Sequence, residues 1–282
     1  MLALHTVQEP NNDVISELPE GRAALVIAHP GHELRIYQWL RLARPSVFVL
    51  TDGSGHAGNS RLDSTSKILE DLQAVAGCIY GRLTDRAIYA SLMAHEFEPV
   101  LSLTGELATA LVNERVDYVV GDAMEGHNPA HDLCRFMING AIQIASGIRD
   151  RQIANFDVLL TSEPRDHGPE TLNGAVWLEL DSRTVAKKIE AAFGYPELTA
   201  EVHGIIEKNG THSIGMECLR PASGGLVAEQ LSAPPFYECY GEQQVAAGHY
   251  QSVLRYREHV LPLAQAIQNY AAAYGQKAAC AY

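Results

Sequence analysis

Short runs of apolar residues, many of them β-branched, recur along the chain as far as residue 180. Four runs occupy residues 23–28, 46–51, 117–120 and 156–160, and a further strand is predicted at 174–180. An uninterrupted apolar run is typical of a strand buried on both faces of a parallel sheet. Between the runs, apolar positions recur at helical spacing. These positions are Ile68, Leu72 and Val75/Ala76, then Leu103, Leu107 and Leu111, then Phe136, Gly140 and Ile144.

The alternation of strands and helices predicts an α/β fold: a Rossmann-like, doubly wound, mostly parallel sheet with right-handed crossovers. Further helices are predicted at 185–193 and 197–208, and a long C-terminal helix at 242–273 is expected to break near Pro262. We expect an N-terminal arm (1–21), an α/β domain (22–220) and a helical C-terminal extension (221–282) packed on that same domain. In such sheets ligands bind beyond the carboxyl ends of the strands.

Composition narrows the class of protein. The 282 residues carry a formal net charge of −13, and 46% are hydrophobic. Scattered basic residues argue against nucleic-acid binding, and the sequence predicts neither a signal peptide nor a membrane-spanning run of about 18 apolar residues. Five widely spaced cysteines without a CxxC pair indicate reduced, buried thiols in a cytoplasmic protein. They are Cys78, Cys134, Cys218, Cys239 and Cys280.

Two histidine pairs follow predicted strands. His29 and His32 come directly after the first run, and His127 and His131 follow the run at 117–120. Because the carboxyl ends of parallel strands meet at one edge of the sheet, the two pairs are expected to converge. Three neutral imidazoles plus a water form the open site of a catalytic zinc, although another divalent metal is compatible with them. The sequence therefore predicts a metal site suited to hydrolysis.

These segments, together with residues 50–55, the helix start at Arg61 and residues 214–219, resemble the PIG-L/LmbE-like family of zinc-dependent N-acetylglucosaminyl deacetylases over about residues 22–220. The resemblance implies that His29 and His131 are metal ligands and that His32 replaces the family's ligand aspartate. It also implies that His127 assists the tetrahedral intermediate. The substrate would be a small N-acetylated sugar or glycoconjugate.

The family's general base is an aspartate, and Gly31 stands in its place. Asp52 and Glu125 are our candidates for a substitute, since each lies just beyond a strand end. Glu33 is set aside because the family keeps a glutamate there beside its separate base. Alternatively, a three-histidine site carries one more unit of positive charge, which would make a bound water more acidic.

Two other interpretations of the function remain open. Loss of the base at Gly31 is compatible with a non-hydrolytic sugar-binding or regulatory relative. Residues 53–58 match GxGxxG, the dinucleotide fingerprint of an oxidoreductase, but residues 59–63 are expected to continue as a polar loop rather than open a helix. Cys134 is interpreted as a core thiol, and the aromatic residues 235–240 are interpreted as packing for the extension or for a homo-oligomer contact.

Overall fold

The structure is a computed structural model that describes residues 17–55, 58–163, 172–210, 214–222 and 233–279. Most of the expected N-terminal arm, residues 1–21, lies outside these ranges, as do His56 and Ala57 of the GxGxxG segment. Among the described residues, no helix combines the length and apolar character needed to span a bilayer.

Seven strands form one sheet in the order β3-β2-β1-β4-β5-β7-β6. The pairs among β1 to β5 are parallel, and β7 pairs antiparallel with both β5 and β6. The strands are β1 (Ala23–Ile27), β2 (Ser46–Thr51), β3 (Val75–Leu83), β4 (Tyr118–Asp122), β5 (Ala154–Val158), β6 (Val176–Glu179) and β7 (Met216–Pro221). This mostly parallel sheet is compatible with the Rossmann-like α/β fold expected from the sequence.

Helices cover both faces of the sheet. They are α1 (Tyr37–Ala43), α2 (Leu62–Leu72), α3 (Asp85–Ala94), α4 (Glu98–Asn113), α5 (Pro129–Arg149), α6 (Ser182–Phe193), α7 (Thr199–Asn209), α8 (Phe236–Ala246) and α9 (Leu261–Ala279). Alternate strand residues feed two cores. Val26 and Phe48 face one core, built with α3, α4, α5 and α9, and Leu25 and Val49 face the other, built with α1, α2 and α6. Because helices cover both faces of the sheet, side chains on both sides of β1, β2 and β4 are buried. The sequences of these strands are therefore mostly apolar.

Three segments differ from the predictions. Val75 and Ala76 were assigned to a helical stripe, but that helix ends at Leu72 and both residues begin β3. Residues 216–221, which were not predicted as a strand, form β7. The predicted polar loop at 59–63 ends early, since α2 begins at Leu62.

The C-terminal extension packs on the α/β domain. Its buried residues Tyr237, Leu254, Leu263 and Ile267 belong to the same core as α4 and α5. The C-terminal helix is broken as predicted, but the break lies at residues 247–255 rather than at Pro262. A π-helical turn, Tyr256–Val260, then continues directly into α9, and the Leu261 N–H donates to the Tyr256 carbonyl. Pro262 therefore follows a widened helical turn instead of ending the helix.

The cysteines only partly match the expectation of burial. Cys134 and Cys218 are buried, whereas Cys78 and Cys239 are exposed, and Cys280 lies outside the described residues. Burial raises the pKa of the Cys134 thiol well above its ordinary value, so it is a neutral core thiol as predicted.

Candidate metal centre

The two histidine pairs approach each other where β1 and β4 lie side by side. The chain leaves β1 toward β2 on one side of the sheet, while β4 pairs with β1 on the other side. This reversal of strand order makes the crevice between β1 and β4 the topological switch point, the usual ligand site of an open α/β sheet. His29 and His32 follow β1, and His131 lies in the first turn of α5, after β4.

His29, His32 and His131 form a compact cluster. Their ring centroids are 5.1 Å apart for His29 and His32, 5.0 Å for His29 and His131, and 4.6 Å for His32 and His131. One nitrogen from each ring lies within 4.8 Å of the other two, close enough for all three to hold one metal ion. We call these residues the histidine cluster.

Local sequence explains how the backbone delivers these rings. Gly31 has a φ of 105°, a conformation that favours glycine, and this turn opens the short 3-10 helix His32–Ile36. Helix α5 begins with Pro129 at its first position, and the side chain of Asn128 caps it by accepting a hydrogen bond from the Ala130 N–H at 2.9 Å. Both helix starts place histidines over the edge of the sheet.

Two aspartates orient the cluster. The Nε2–H of His29 donates to Oδ1 of Asp85, the first residue of α3, at 2.6 Å. The Nδ1–H of His32 donates to Oδ2 of Asp122 at 2.9 Å, and the same oxygen accepts from the Ala28 N–H at 2.8 Å. A carboxylate that binds the second ring nitrogen of a ligating histidine fixes its tautomer and raises its basicity. Asp122 also ties the end of β1 to the end of β4.

The remaining nitrogens fit a metal. Nδ1 of His29 and Nδ1 of His131 are buried and have no hydrogen-bond partner in the described part of the chain. Burial lowers the pKa of His29 and, more strongly, that of His131, so both rings are neutral near pH 7, the form that binds metal. Burial acts against ionisation of Asp85, but hydrogen bonds from His29 and from the Gly55 N–H favour the ionised form, and the pKa of Asp85 is lowered to about 2.

A cavity of about 390 Å³ opens over the cluster. Its floor is the histidine cluster, its walls come from α6, α7 and β7, and its rim includes Arg61 and the segment 158–163. A volume of this size suits a small-molecule ligand. The described carboxylates that line it are Glu163, Glu201 and Glu217.

His127 also lines this cavity, as expected for a group that touches a substrate. Its ring stacks on Phe236, the first residue of α8, with centroids 4.6 Å apart and planes 7° from parallel. The C-terminal extension therefore reaches the site. Phe236 and Tyr240 of the aromatic stretch are exposed, while Tyr237 is buried, so only part of that stretch serves as packing.

Asp52 and Glu125 are engaged elsewhere. Oδ1 of Asp52 accepts from the N–H and the hydroxyl of Ser54, at 3.0 and 2.7 Å, in a turn. The carboxylate of Glu125 accepts hydrogen bonds from Leu160, Thr161 and Ser162, with the shortest at 2.6 Å from the Leu160 N–H. Burial acts to raise the pKa of Glu125, but these hydrogen bonds outweigh it and lower that pKa. Neither carboxylate lines the cavity.

Glu33 is fully buried and accepts a hydrogen bond from the Gly31 N–H at 2.8 Å and another from the Tyr195 hydroxyl. Burial raises its pKa. These contacts hold the turn of the first histidine pair, which agrees with setting Glu33 aside as a base.

Sequence reasoning missed several residues of the site. Asp85 begins a helix after an unpredicted strand, and Glu163 follows β5 by a few residues; neither belongs to a recognisable motif. Lys188 and Glu217 form a buried ion pair of 2.9 Å in the cavity wall. Neither has a distinguishing sequence signal, because α6 also carries Arg183, Lys187 and Glu190, and β7 also carries Arg220.

The fold and the cluster together define a Rossmann-like α/β protein whose three histidines are close enough to hold a metal ion. No protein-family model matches the chain, and no curated protein matches it at a significant level.

Proposed function

We propose that the protein is a metal-dependent hydrolase that removes an acetyl group from an N-acetylated sugar or sugar conjugate. The observation that carries this proposal is the histidine cluster at the switch point, with buried, unpartnered nitrogens on His29 and His131. The motif resemblance to the PIG-L/LmbE-like deacetylases supports the choice of reaction and substrate. A cytoplasmic location, a small-molecule sugar partner and homo-oligomer formation remain predictions from the sequence.

His29, His32 and His131 would hold the metal, and zinc is our first choice because it favours nitrogen ligands in open sites. A bound zinc ion supplies Lewis acidity and lowers the pKa of a water to about 7. The chain itself supplies orientation of the ligand histidines, through Asp85 and Asp122.

His127 and Glu163 would provide the remaining chemistry. His127 lines the cavity, and in this proposal it would donate a hydrogen bond to the acyl oxygen as negative charge develops there. For the proton of the attacking water, Glu163 is the best-placed acceptor among the described carboxylates of the cavity. Glu217 is committed to Lys188, and Glu201 is exposed on α7, whereas Glu163 is half-buried beside the loop that Glu125 holds.

A non-hydrolytic sugar-binding protein is the second candidate. The observation that favours it is Gly31, which removes the family's base from the point nearest the cluster. A protein of this kind would still bind the metal and the sugar, but it would not hydrolyse the amide bond.

Acetate release from a panel of N-acetylated amino sugars, with zinc content measured in parallel, tests the proposal. We expect the zinc-loaded parent to release acetate, and His29→Ala and His131→Ala to lose both stoichiometric zinc and activity. His249→Ala is the matched control, because His249 is exposed and lies outside the cluster, and it should change neither.

The base is tested separately. Glu163→Gln should lower kcat by about 10²- to 10⁴-fold with zinc content unchanged, while Glu201→Gln should have little effect. Full zinc occupancy in both histidine variants would overturn the metal site. Zinc and sugar binding without acetate release from any sugar would favour the second candidate.

A further inference from the structure

The surface next to the histidine cluster is aliphatic rather than acidic. A Cβ atom built on Gly31 would lie 2.7 Å from Cδ1 of Leu198. The Leu198 side chain therefore lies directly against the turn that links His29 to His32, on the side where a residue 31 side chain would project. The missing side chain at position 31 leaves room for this methyl group.

Leu198 is one end of an aliphatic surface. We call this surface the acyl wall; it consists of Ile189, Ala192, Leu198, Val202, Ile205 and Met216, all of which line the cavity. Leu198, Val202 and Ile205 are spaced at i, i+4 and i+7, so they form one stripe along the start and face of α7. The acyl wall thus runs from the histidine cluster outward along a helix.

This stripe is not simply part of the core. Leu198, Val202 and Ile205 are each half-buried, and no described residue of α7 is fully buried. Leu198 and Val202 pack against the core under α1 and α6 on one side and line the cavity on the other. A helix in this position leaves apolar surface that a ligand would cover.

The buried charges beside the acyl wall, Lys188 and Glu217, are paired with each other. Lys188 donates to Glu217 at 2.9 Å and to the Arg35 carbonyl at 3.0 Å, and Glu217 accepts from the N–H groups of Gln38 and Trp39. Within this pair each charge is therefore already compensated. An acetyl group would fill only a small part of a cavity of about 390 Å³.

We propose that the acyl wall binds the hydrocarbon chain of an N-acyl amino sugar, so that the enzyme prefers linear acyl groups longer than acetyl. This inference rests on the proposed amidohydrolase function and refines its substrate class. In the reaction the oxygen of water bonds to the acyl carbon, the C–N bond breaks, and the amine nitrogen takes a proton, giving a carboxylic acid and a free amine. The sugar occupies the polar rim near His127 and Arg61.

Chain-length dependence tests this preference. With the zinc-loaded full chain and N-acetyl-, N-butanoyl-, N-hexanoyl- and N-octanoyl-glucosamine, we expect kcat/KM to rise by about fourfold per methylene until the wall is filled. Ile205→Ser should flatten this slope. Ile206→Ser is the matched control, since Ile206 is the next residue of α7, is also half-buried and does not line the cavity.

A second variant provides a measurement that does not depend on how much of the protein folds. Ile205→Trp fills the far part of the wall, so the ratio of kcat/KM for the octanoyl substrate to kcat/KM for the acetyl substrate should fall at least tenfold. Binding of the same N-acyl sugars to the zinc-depleted protein, measured by calorimetry, separates this inference from the reaction itself.

The outcomes are distinct. A chain-length gain in binding that Ile205→Ser removes supports the acyl wall, even if no amide is hydrolysed and the proposed function fails. Hydrolysis of the acetyl substrate with no gain for longer chains, in both turnover and binding, overturns the acyl wall and leaves the proposed function standing.

Discussion

Gly31 decides what chemistry is available beside the histidine cluster, because its backbone excludes most other residues. At a φ of 105° an L-residue is strained whatever space surrounds it, and here the Leu198 methyl also occupies that space. A carboxylate at position 31 would therefore strain this turn as it is folded. If the protein hydrolyses amides, the proton acceptor has to come from another element, and Glu163 is our candidate.

Substitution of Gly31 tests this backbone argument. We expect Gly31→Ala and Gly31→Asp each to lower the free energy of unfolding by about 1–3 kcal/mol, and Gly31→Asp to leave acetate release no higher than in the parent. Urea denaturation measures the first effect. Gly147→Ala in α5 is the control, since a Cβ there meets nothing within 4 Å, and it should be neutral or stabilising. Equal stability of the parent and Gly31→Ala would contradict the argument.

The convergence of His29, His32 and His131 could be predicted from the sequence, because a parallel sheet brings the ends of its strands to one edge. The carboxylate partners of these histidines could not be predicted. Asp85 reaches His29 from the start of a helix that follows β3, and β3 itself was not predicted. A hydrogen bond between distant elements leaves no spacing pattern in the sequence, so only the fold reveals it.

Among the elements, the loop after β5 depends on one side chain from the loop after β4. Glu125 accepts three backbone N–H groups and two hydroxyls from residues 160–162, which immediately precede Glu163. Hydrogen bonds to an ionised acceptor are stronger than neutral ones, and each donor loses a partner if the acceptor is removed. The role of Glu125 is therefore to hold the rim of the cavity.

Glu125→Gln should destabilise the protein by about 2 kcal/mol at pH 7, because an amide cannot accept at both of its ends. The folded pKa of Glu125 lies below its unfolded value of about 4.5, so its contribution is present above that pH and is lost as the pH falls through the folded value. The stability difference between parent and variant should shrink below about pH 4.5. Urea denaturation across pH 3–7 measures it.

Glu106→Gln is the control for this experiment. Glu106 forms an exposed ion pair of 3.0 Å with Arg82, which should contribute at most about 1 kcal/mol. A difference between parent and Glu125→Gln that stays constant down to pH 3 would contradict the ionised role of Glu125.

Strands with a mostly apolar run were predictable, including β6 at one edge of the sheet, whereas β3 and β7 were not. Strand β3 lies at the edge: Val75 is 65% exposed, and Gly77 and Gly81 interrupt its pattern. Val75 and Ala76, the first residues of β3, continue the helical spacing of the apolar residues in α2. The sequence therefore does not mark where the helix ends and the strand begins. Pro262 misled for a different reason: the residues before it form a π-helical turn, so the helix widens ahead of the proline and continues past it.

At the scale of the whole molecule, the candidate site joins two parts of the chain that are distant in sequence. His29 and His32 belong to the segment after β1, and His131 begins the helix after β4. Only the folded sheet places them within reach of one ion. A ligand that needs all three binds the native state in preference to the unfolded chain, and it stabilises the fold by mass action.

We therefore expect zinc to raise the thermal stability of the protein. At a free concentration of about 100 times Kd the stabilisation is about 2.7 kcal/mol, or roughly 5 °C in Tm for a chain of this size. His131→Ala should lose this shift, because the ion would no longer connect the two parts of the sheet, whereas His249→Ala should keep it. Calorimetric scans with zinc and with a chelator measure the effect at pH 7, where His29 and His131 are neutral. An equal shift in His131→Ala would mean that the stabilising ion binds elsewhere on the molecule.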